Sequence, residues 1–414
     1  MTDHCIAGYA AIDTLPDELL LKVFDFCLCD LGDWETLVHV CQRWRSIVFS
    51  APPRLRLQLL CSGRTPVRER LHIWPKFLIR LIVFSGFYEV DDHIIAALER
   101  NDRIHEIHVD CVSNDELAPL VEAMEVSFPA LTSLHLKCNA QTAQLLHESF
   151  LGGSAPNLQS LHLKNVTFPA LPNLLLSIKH LVDLSLSDIT RSMYETMVDC
   201  LSSLTRLETL LVEFRFSQRK PYPTSRRPPP TIRTVLSVLT SLTFYGVMGY
   251  LDHLFTHIDA PLLEVFDVSF FNTVDFNDLQ LSPFIGRTKM FEGFDQAHMD
   301  FRDDLLNVML SSRNGITGGM SLTLSTEWRD LVWNLCSLTQ ARRDKPSNTR
   351  LKEGRYLPPW TKDMEISPWL NVLCIFTTVE SLYLSTGLFF FFSFFFFRIR
   401  LLSQRLATDM HNPL

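Results

Sequence analysis

No catalytic motif stands out in the 414 residues. Gly-x-Gly-x-x-Gly, Gly-x-x-x-x-Gly-Lys-Ser/Thr, His-Glu-x-x-His and Gly-x-Ser-x-Gly are all missing, which removes the usual phosphate cradles, zinc-protease helix and nucleophile elbow. His147-Glu148 lacks the second histidine of a zinc helix, and Gly152-Gly153-Ser154 reads as a loop ahead of Pro156. Asp91-Asp92-His93 and Asp303-Asp304 set carboxylates side by side, where neighbours on a helix point to different faces; caps or solvated surface is their reading. No enzyme activity, metal site or cofactor is expected. The ten cysteines include no Cys-x-x-Cys pair and no secretory signal pattern is present, so a reducing compartment, cytoplasmic or nuclear, is expected. The net charge is −8 and no long basic stripe is interleaved with aromatics, which argues against a nucleic-acid partner. No Gly/Ser linker divides the chain, so its parts are expected to pack rigidly on one another.

What is present begins at residue 12. Pro16 suits a first helical turn because it lacks an N–H, and Asp17 and Glu18 place negative charge at the positive end of the helix dipole. Leu19, Leu20, Val23, Phe24 and Cys27 follow at three- and four-residue steps. Asp33 can cap a second helix carrying Trp34, Leu37, Val38, Val40 and Cys41, and Trp44, Ile47 and Val48 lead into a third that Pro52 and Pro53 stop. Three helices this short cannot bury all these side chains among themselves, so some must face a partner or the next domain.

The arrangement Leu15-Pro16, Val23-Phe24, Val40-Cys41 and Trp44 resembles the F-box, a helical module that docks on the Skp-type adaptor of cullin–RING ubiquitin ligases. The resemblance implies an adaptor-binding surface at Leu15, Pro16, Leu19, Leu20, Val23, Phe24, Leu37, Val40 and Cys41, with Trp44 a core residue. Trp34-Glu-Thr-Leu-Val-His-Val-Cys-Gln-Arg-Trp-Arg-Ser46, Ser149-Phe-Leu-Gly-Gly-Ser-Ala-Pro156, His180-Leu-Val-Asp-Leu184, Arg226-Arg-Pro-Pro-Pro230 and Ile258-Asp-Ala-Pro261 are similar to phrases of a large F-box family of mushroom-forming fungi, whose members look like substrate receptors.

An apolar-x-x-apolar-x-apolar phrase recurs along the middle of the chain. It starts at Ile104, Leu131, Leu158, Leu181, Leu207, Leu239 and Leu263, at spacings of 27, 27, 23, 26, 32 and 24 residues, and returns at Val379. Phrase and period are those of leucine-rich repeats, with the last two apolar positions on a short strand. The turn asparagine of regular repeats is mostly missing. The expected fold is therefore α/β: an N-terminal three-helix F-box followed by an irregular leucine-rich-repeat solenoid, a curved parallel sheet with helices or loops outside. Helices are expected near Glu116–Met124 and Glu195–Leu201. The positions between the buried ones, His108, His135, His162, Ser185 and Asp267, with Leu211 and Thr243, form the candidate target-binding face. The three histidines share one repeat position and would stack as a ladder, read as solvent-exposed rather than as a metal site.

The expected domains are the F-box at 12–58, a bridging segment at 59–103 packed on the array, and the array at 104–386. Loop insertions fall at 217–230, which is proline-rich and basic, and at 340–360. Residues 387–414 depart from the pattern with Leu388-Phe-Phe-Phe-Phe-Ser-Phe-Phe-Phe-Phe397. Ten residues fall short of the roughly 20 a membrane span needs, which disfavours a membrane anchor. A pyrimidine-rich intron read in frame would encode such a run, and that origin is expected for the tail, leaving the array without its terminal cap. The function implied by the resemblance is the substrate-recognition subunit of a Skp–cullin–F-box ubiquitin ligase, with the adaptor, and through it cullin, as partners beside an unknown protein substrate. A repeat-based interaction scaffold without ligase function, or a decaying gene copy, is the alternative.

Overall fold

A computed structural model describes residues 12–27, 33–51, 55, 57–62, 77–84, 92–111, 113–215, 233–270, 284, 287–289, 296–302, 305–311, 319–325 and 381–384. The insertions at 217–230 and 340–360 and the phenylalanine run at 388–397 lie outside these residues. The chain divides into two compact units, Met1–Leu181 and Val182–Leu414.

The first unit opens with a 3₁₀ turn, Ile12–Thr14, and three helices: α1 (Asp17–Cys27), α2 (Asp33–Val40) and α3 (Gln42–Ser50). Strands β1 (Gln58–Ser62) and β2 (Leu78–Phe84) follow, then helix α4 (Asp92–Leu98) and β3 (Ile104–Cys111). Helix α5 (Asn114–Ala123), β4 (Ser133–Cys138), β5 (Ser160–Lys164) and α6 (Leu171–Ser177) complete the unit's main elements. β1 to β5 pair in chain order and in parallel, with helices at crossovers, an α/β arrangement. The register aligns Cys61, Leu81, Ile107, Leu134 and Leu161 in one buried row, so each strand presents alternate residues to a shared core.

The sheet starts at Gln58, the last residue of the span expected for the F-box, and takes in strands of the segment expected to be a bridge, rather than starting at residue 104. β1 lacks the full repeat phrase, whereas β2 carries it as Leu78-Ile-Arg-Leu81-Ile-Val83, with Leu81 and Val83 in register with Ile107 and Val109. Leu59, Cys61, Ile79 and Leu81 alternate with less buried neighbours and are themselves almost completely buried.

Side-chain amides join consecutive turns of this unit. Asn101 donates to the Ser127 carbonyl (2.7 Å) and Asn157 to the Pro129 carbonyl (2.8 Å). Asn165, buried and at φ 56°, donates to both Cys138 O (3.0 Å) and Ala140 O (2.7 Å). The Asn165 amide thereby satisfies the buried Cys138 carbonyl and the part-buried Ala140 carbonyl. At the Phe150–Gly153 turn Leu151 and Gly152 have φ of 55° and 63°, and a Cβ on Gly152 would lie 2.9 Å from the Ser127 nitrogen. Only glycine fits there.

The second unit contains β6 (Asp183–Ile189), α7 (Arg191–Cys200), β7 (Thr209–Phe214), β8 (Ser241–Gly246), α8 (Met248–His257) and β9 (Val265–Phe270). Its remaining strands are β10 (Gln296–Arg302), β11 (Leu305–Ser311), β12 (Gly319–Ser325) and β13 (Ser381–Leu384). β6, β7, β8, β9 and β12 pair in parallel, aligning Leu184, Leu210, Leu242, Phe266 and Met320. The expectation of parallel strands fails between Gln296 and Ser325: β10 and β11 are antiparallel, as are β11 and β12. Two residues separate β10 from β11, enough for a hairpin, whereas a parallel return needs a crossover of a dozen or more. β13 then pairs in parallel with β10. Tyr194 is fully buried in this unit and donates its hydroxyl proton to the Tyr250 carbonyl at 2.5 Å, beside the rings of Phe214 and Tyr250.

Candidate functional site

Helix α1 has two apolar faces. At 100° per residue, Leu19, Val23 and Phe26 fall on one side, and Leu20 and Phe24 lie about 100° around the helix. Leu20 and Phe24 are buried with Trp34, Val38, Ile47 and Val48, and the Phe24 ring lies 4.8 Å from that of Trp44. The other side stays open to solvent: Leu19 is 44% exposed, Val23 38% and Phe26 85%. Ile12 and, at the end of α2, Val40 are also exposed.

The nine residues expected to form one docking surface therefore separate. Pro16, Leu19, Val23 and Val40 are exposed, and Leu15, Leu37 and Cys41 are half-buried. Leu20 and Phe24 do not belong to that surface: they are the interior of the module, because three short helices need at least one large side chain from α1 to close a core. Trp44 is half-buried against Phe24, and its buried indole N–H has no hydrogen-bond partner among the described residues. Phe26 was missed by sequence reasoning, although its spacing of three from Val23 and seven from Leu19 was available. The stripe read from the sequence continued instead to Cys27.

Local bonds fix the module. The Cys41 thiol sulfur accepts from the Trp44 amide at 3.4 Å and caps α3, so this half-buried residue has a structural task. Arg45 Nε donates to the Val38 carbonyl near the end of α2 (2.9 Å). Arg43 Nη2 reaches the Leu15 carbonyl (2.6 Å) and the Asp17 carboxylate (2.6 Å), with Nε a further 3.1 Å bond to the same oxygen. The Trp34 indole donates to Gln58 O at the start of β1 (2.9 Å), and Trp34, Phe49 and Phe77 meet edge-on or tilted at 5.2–6.3 Å. The helices are thus seated on the first strands through an aromatic cluster.

The sheet carries the second group of predicted residues. His108, His135 and His162 occupy one register row of β3, β4 and β5. The His108 and His135 rings stack at 4.2 Å and 3°, and His135 and His162 at 5.4 Å and 29°. They are half-buried rather than freely exposed. Burial and then the neighbouring His108 and His162 hold His135 down to about 4, and burial lowers His108 despite Asp110 and Glu106 nearby. A ligating imidazole takes a metal in its ring plane, so two rings stacked in parallel planes cannot share one ion. Arg80–Glu106 (2.9 Å) and Lys137–Asp110 (2.8 Å) flank the row as ion pairs. In the second unit Ser185, Leu211, Thr243 and Asp267 form a row of their own across β6 to β9. There the Tyr245 hydroxyl donates to Asp267 (3.1 Å) and is pushed up to about 12, by burial first and by Asp267 next. Among the described residues no group of three or more His, Cys, Asp or Glu could hold a metal, and no helix is long and apolar enough to cross a membrane.

Residues 12–52 match the F-box-like family. The chain carries an F-box-like domain. The matched residues take in α1 to α3, and F-box domains generally bind Skp-type adaptors. No curated protein matches the chain. The F-box-like helices supply the candidate docking surface, and the α/β sheet behind them supplies the candidate recognition surface.

Proposed function

We propose that the protein is the substrate-recognition subunit of a Skp–cullin–F-box ubiquitin ligase. The observation that carries this reading is the solvent-open apolar face of the F-box-like helices, Leu19, Val23, Phe26 and Val40 with Pro16 at its edge. Aromatic and aliphatic side chains left exposed together on a small module mark a protein-binding surface. The adaptor covers this face, and cullin joins through the adaptor. The repeating parallel strands form an irregular leucine-rich-repeat array, and the target protein lies against its rows of half-buried polar side chains. The protein performs no chemistry itself; it raises the effective concentration of the target near the conjugating enzyme. Cytoplasm or nucleus is its place of action.

A pull-down of the full chain with a purified Skp-type adaptor tests the proposal, beside the double substitution Leu15→Ala, Pro16→Ala. Retention that the double substitution abolishes supports the receptor reading. A folded chain that the adaptor does not retain refutes it and leaves an interaction scaffold.

A further inference from the structure

We propose that Arg43 is the positioning residue that holds the Leu15–Pro16 edge of the docking face in its binding orientation; this rests on the adaptor-docking reading above. Pro16 has no N–H, so the Leu15 amide, turned to Ile12 O, is the edge's one backbone donor, and anchoring to another helix falls to carbonyls and side chains. The amides of Leu19 and Leu20 both turn to the Pro16 carbonyl (3.0 and 3.1 Å), which leaves the Leu15 carbonyl outside the helical ladder. Arg43 takes that carbonyl. Its guanidinium comes from the first turn of α3 and spans 28 residues of sequence to Leu15, and it binds Asp17 with the same fork.

An exposed arginine–carboxylate pair alone contributes little to stability, and here both partners are substantially solvated. The carbonyl bond changes its role. A planar donor fork that bridges a backbone oxygen and a side chain fixes direction as well as charge, which a lysine ammonium cannot reproduce. With the tie broken, the turn between Thr14 and Asp17 keeps its backbone bonds from Leu15 N to Ile12 O (3.2 Å) and to the Pro16 carbonyl, but loses the anchor that joins it to α3. Binding must then supply the ordering cost of the edge, which lowers affinity while the buried core of Leu20, Phe24 and Trp34 is untouched. Arg43 acts through Leu15 and Pro16, not by touching the adaptor.

The test measures adaptor affinity and thermal melting for the full chain and for Arg43→Gln, Arg43→Lys, Leu15→Ala and the double variant Arg43→Gln, Leu15→Ala. The expected result is a loss of about tenfold in affinity for Arg43→Gln and a smaller loss for Arg43→Lys. The losses should be less than multiplicative in the double variant, because with the Leu15 side chain gone the tie positions Pro16 alone. Should Arg43→Gln melt early, Arg43→Lys carries the test and must still lose affinity. Affinity within twofold of wild type for both variants would overturn the assignment. So would losses that multiply in the double variant, since these would mark an independent contact. If the wild-type chain itself does not bind the adaptor, the receptor reading fails instead.

Discussion

Replacing His135 with Gln should flatten the loss of stability on acidification. The ring sits in a stacked row between His108 and His162, and its protonation is held down to about 4 from an ordinary 6.5. The unfolded chain takes up this proton at higher pH than the folded one. His135 therefore contributes fully to stability above about 6.5, loses that contribution as pH falls, and has nothing further to lose below about 4. At about 1.4 kcal/mol per pH unit the whole interval corresponds to roughly 3 kcal/mol; water reaches part of the ring, and about 1–2 kcal/mol survives. A second positive charge on His108, 4.2 Å away, would cost up to about 4 kcal/mol at an effective dielectric of 20. Glu106 and Asp110, paired with Arg80 and Lys137, offset part of that cost. Urea unfolding of wild type and His135→Gln at pH 7.5, 5.5 and 4.5 measures the effect. Carboxylates titrate in both proteins, so the difference between them isolates the histidine. The wild type should lose about 1–2 kcal/mol more than the variant between pH 7.5 and 4.5. Parallel profiles would show that the stacked row is fully hydrated and that the argument from burial is wrong.

Three other substitutions separate surface from core. Phe26→Ser, at a side chain 85% exposed, should weaken adaptor binding about tenfold and leave the melting temperature unchanged, as read by titration and by circular dichroism. Phe24→Ala removes a buried ring tilted against Trp44 and should cost about 3–5 kcal/mol, seen as loss of the module's cooperative melting before any effect on binding is interpretable. Gly152→Ala must place a Cβ 2.9 Å from the Ser127 nitrogen at φ 63°, and should destabilise the first unit by about 1–3 kcal/mol in denaturant unfolding.

The strands were legible because the physics that makes them is periodic. Every apolar-x-x-apolar-x-apolar phrase from Ile104 to Leu263 leads into a strand, and its last two apolar residues, such as Leu134 and Leu136, are fully buried. A spacing of 27 residues likewise puts His108, His135 and His162 in one row, and the rows do stack. The sequence pattern was silent where the phrase is absent. β1 carries only its alternating half, and the antiparallel strands between Gln296 and Ser325 carry a hairpin-length connection rather than a repeat. β2 does carry the phrase, as Leu78-Ile-Arg-Leu81-Ile-Val83, and was overlooked. The docking surface was half legible. A three- and four-residue spacing identifies apolar positions on α1 but not which of two faces closes the core, and that choice depends on Trp34, Val38 and Ile47 from the other helices. Leu20 and Phe24 went to the interior for that reason, and Phe26 emerged on the surface. Arg43 carried no visible signal, because its partners are a backbone carbonyl and a carboxylate more than 25 positions away.

The most direct test of the account is hydrogen exchange of the full chain alone and saturated with a purified Skp-type adaptor. The account predicts adaptor-dependent protection concentrated in residues 12–45, strongest around Leu19, Val23, Phe26 and Val40, with the strand amides from Ile104 to Phe270 unchanged. Absence of any adaptor-dependent protection in those helices, in a chain whose sheet exchanges as a folded unit, would contradict it.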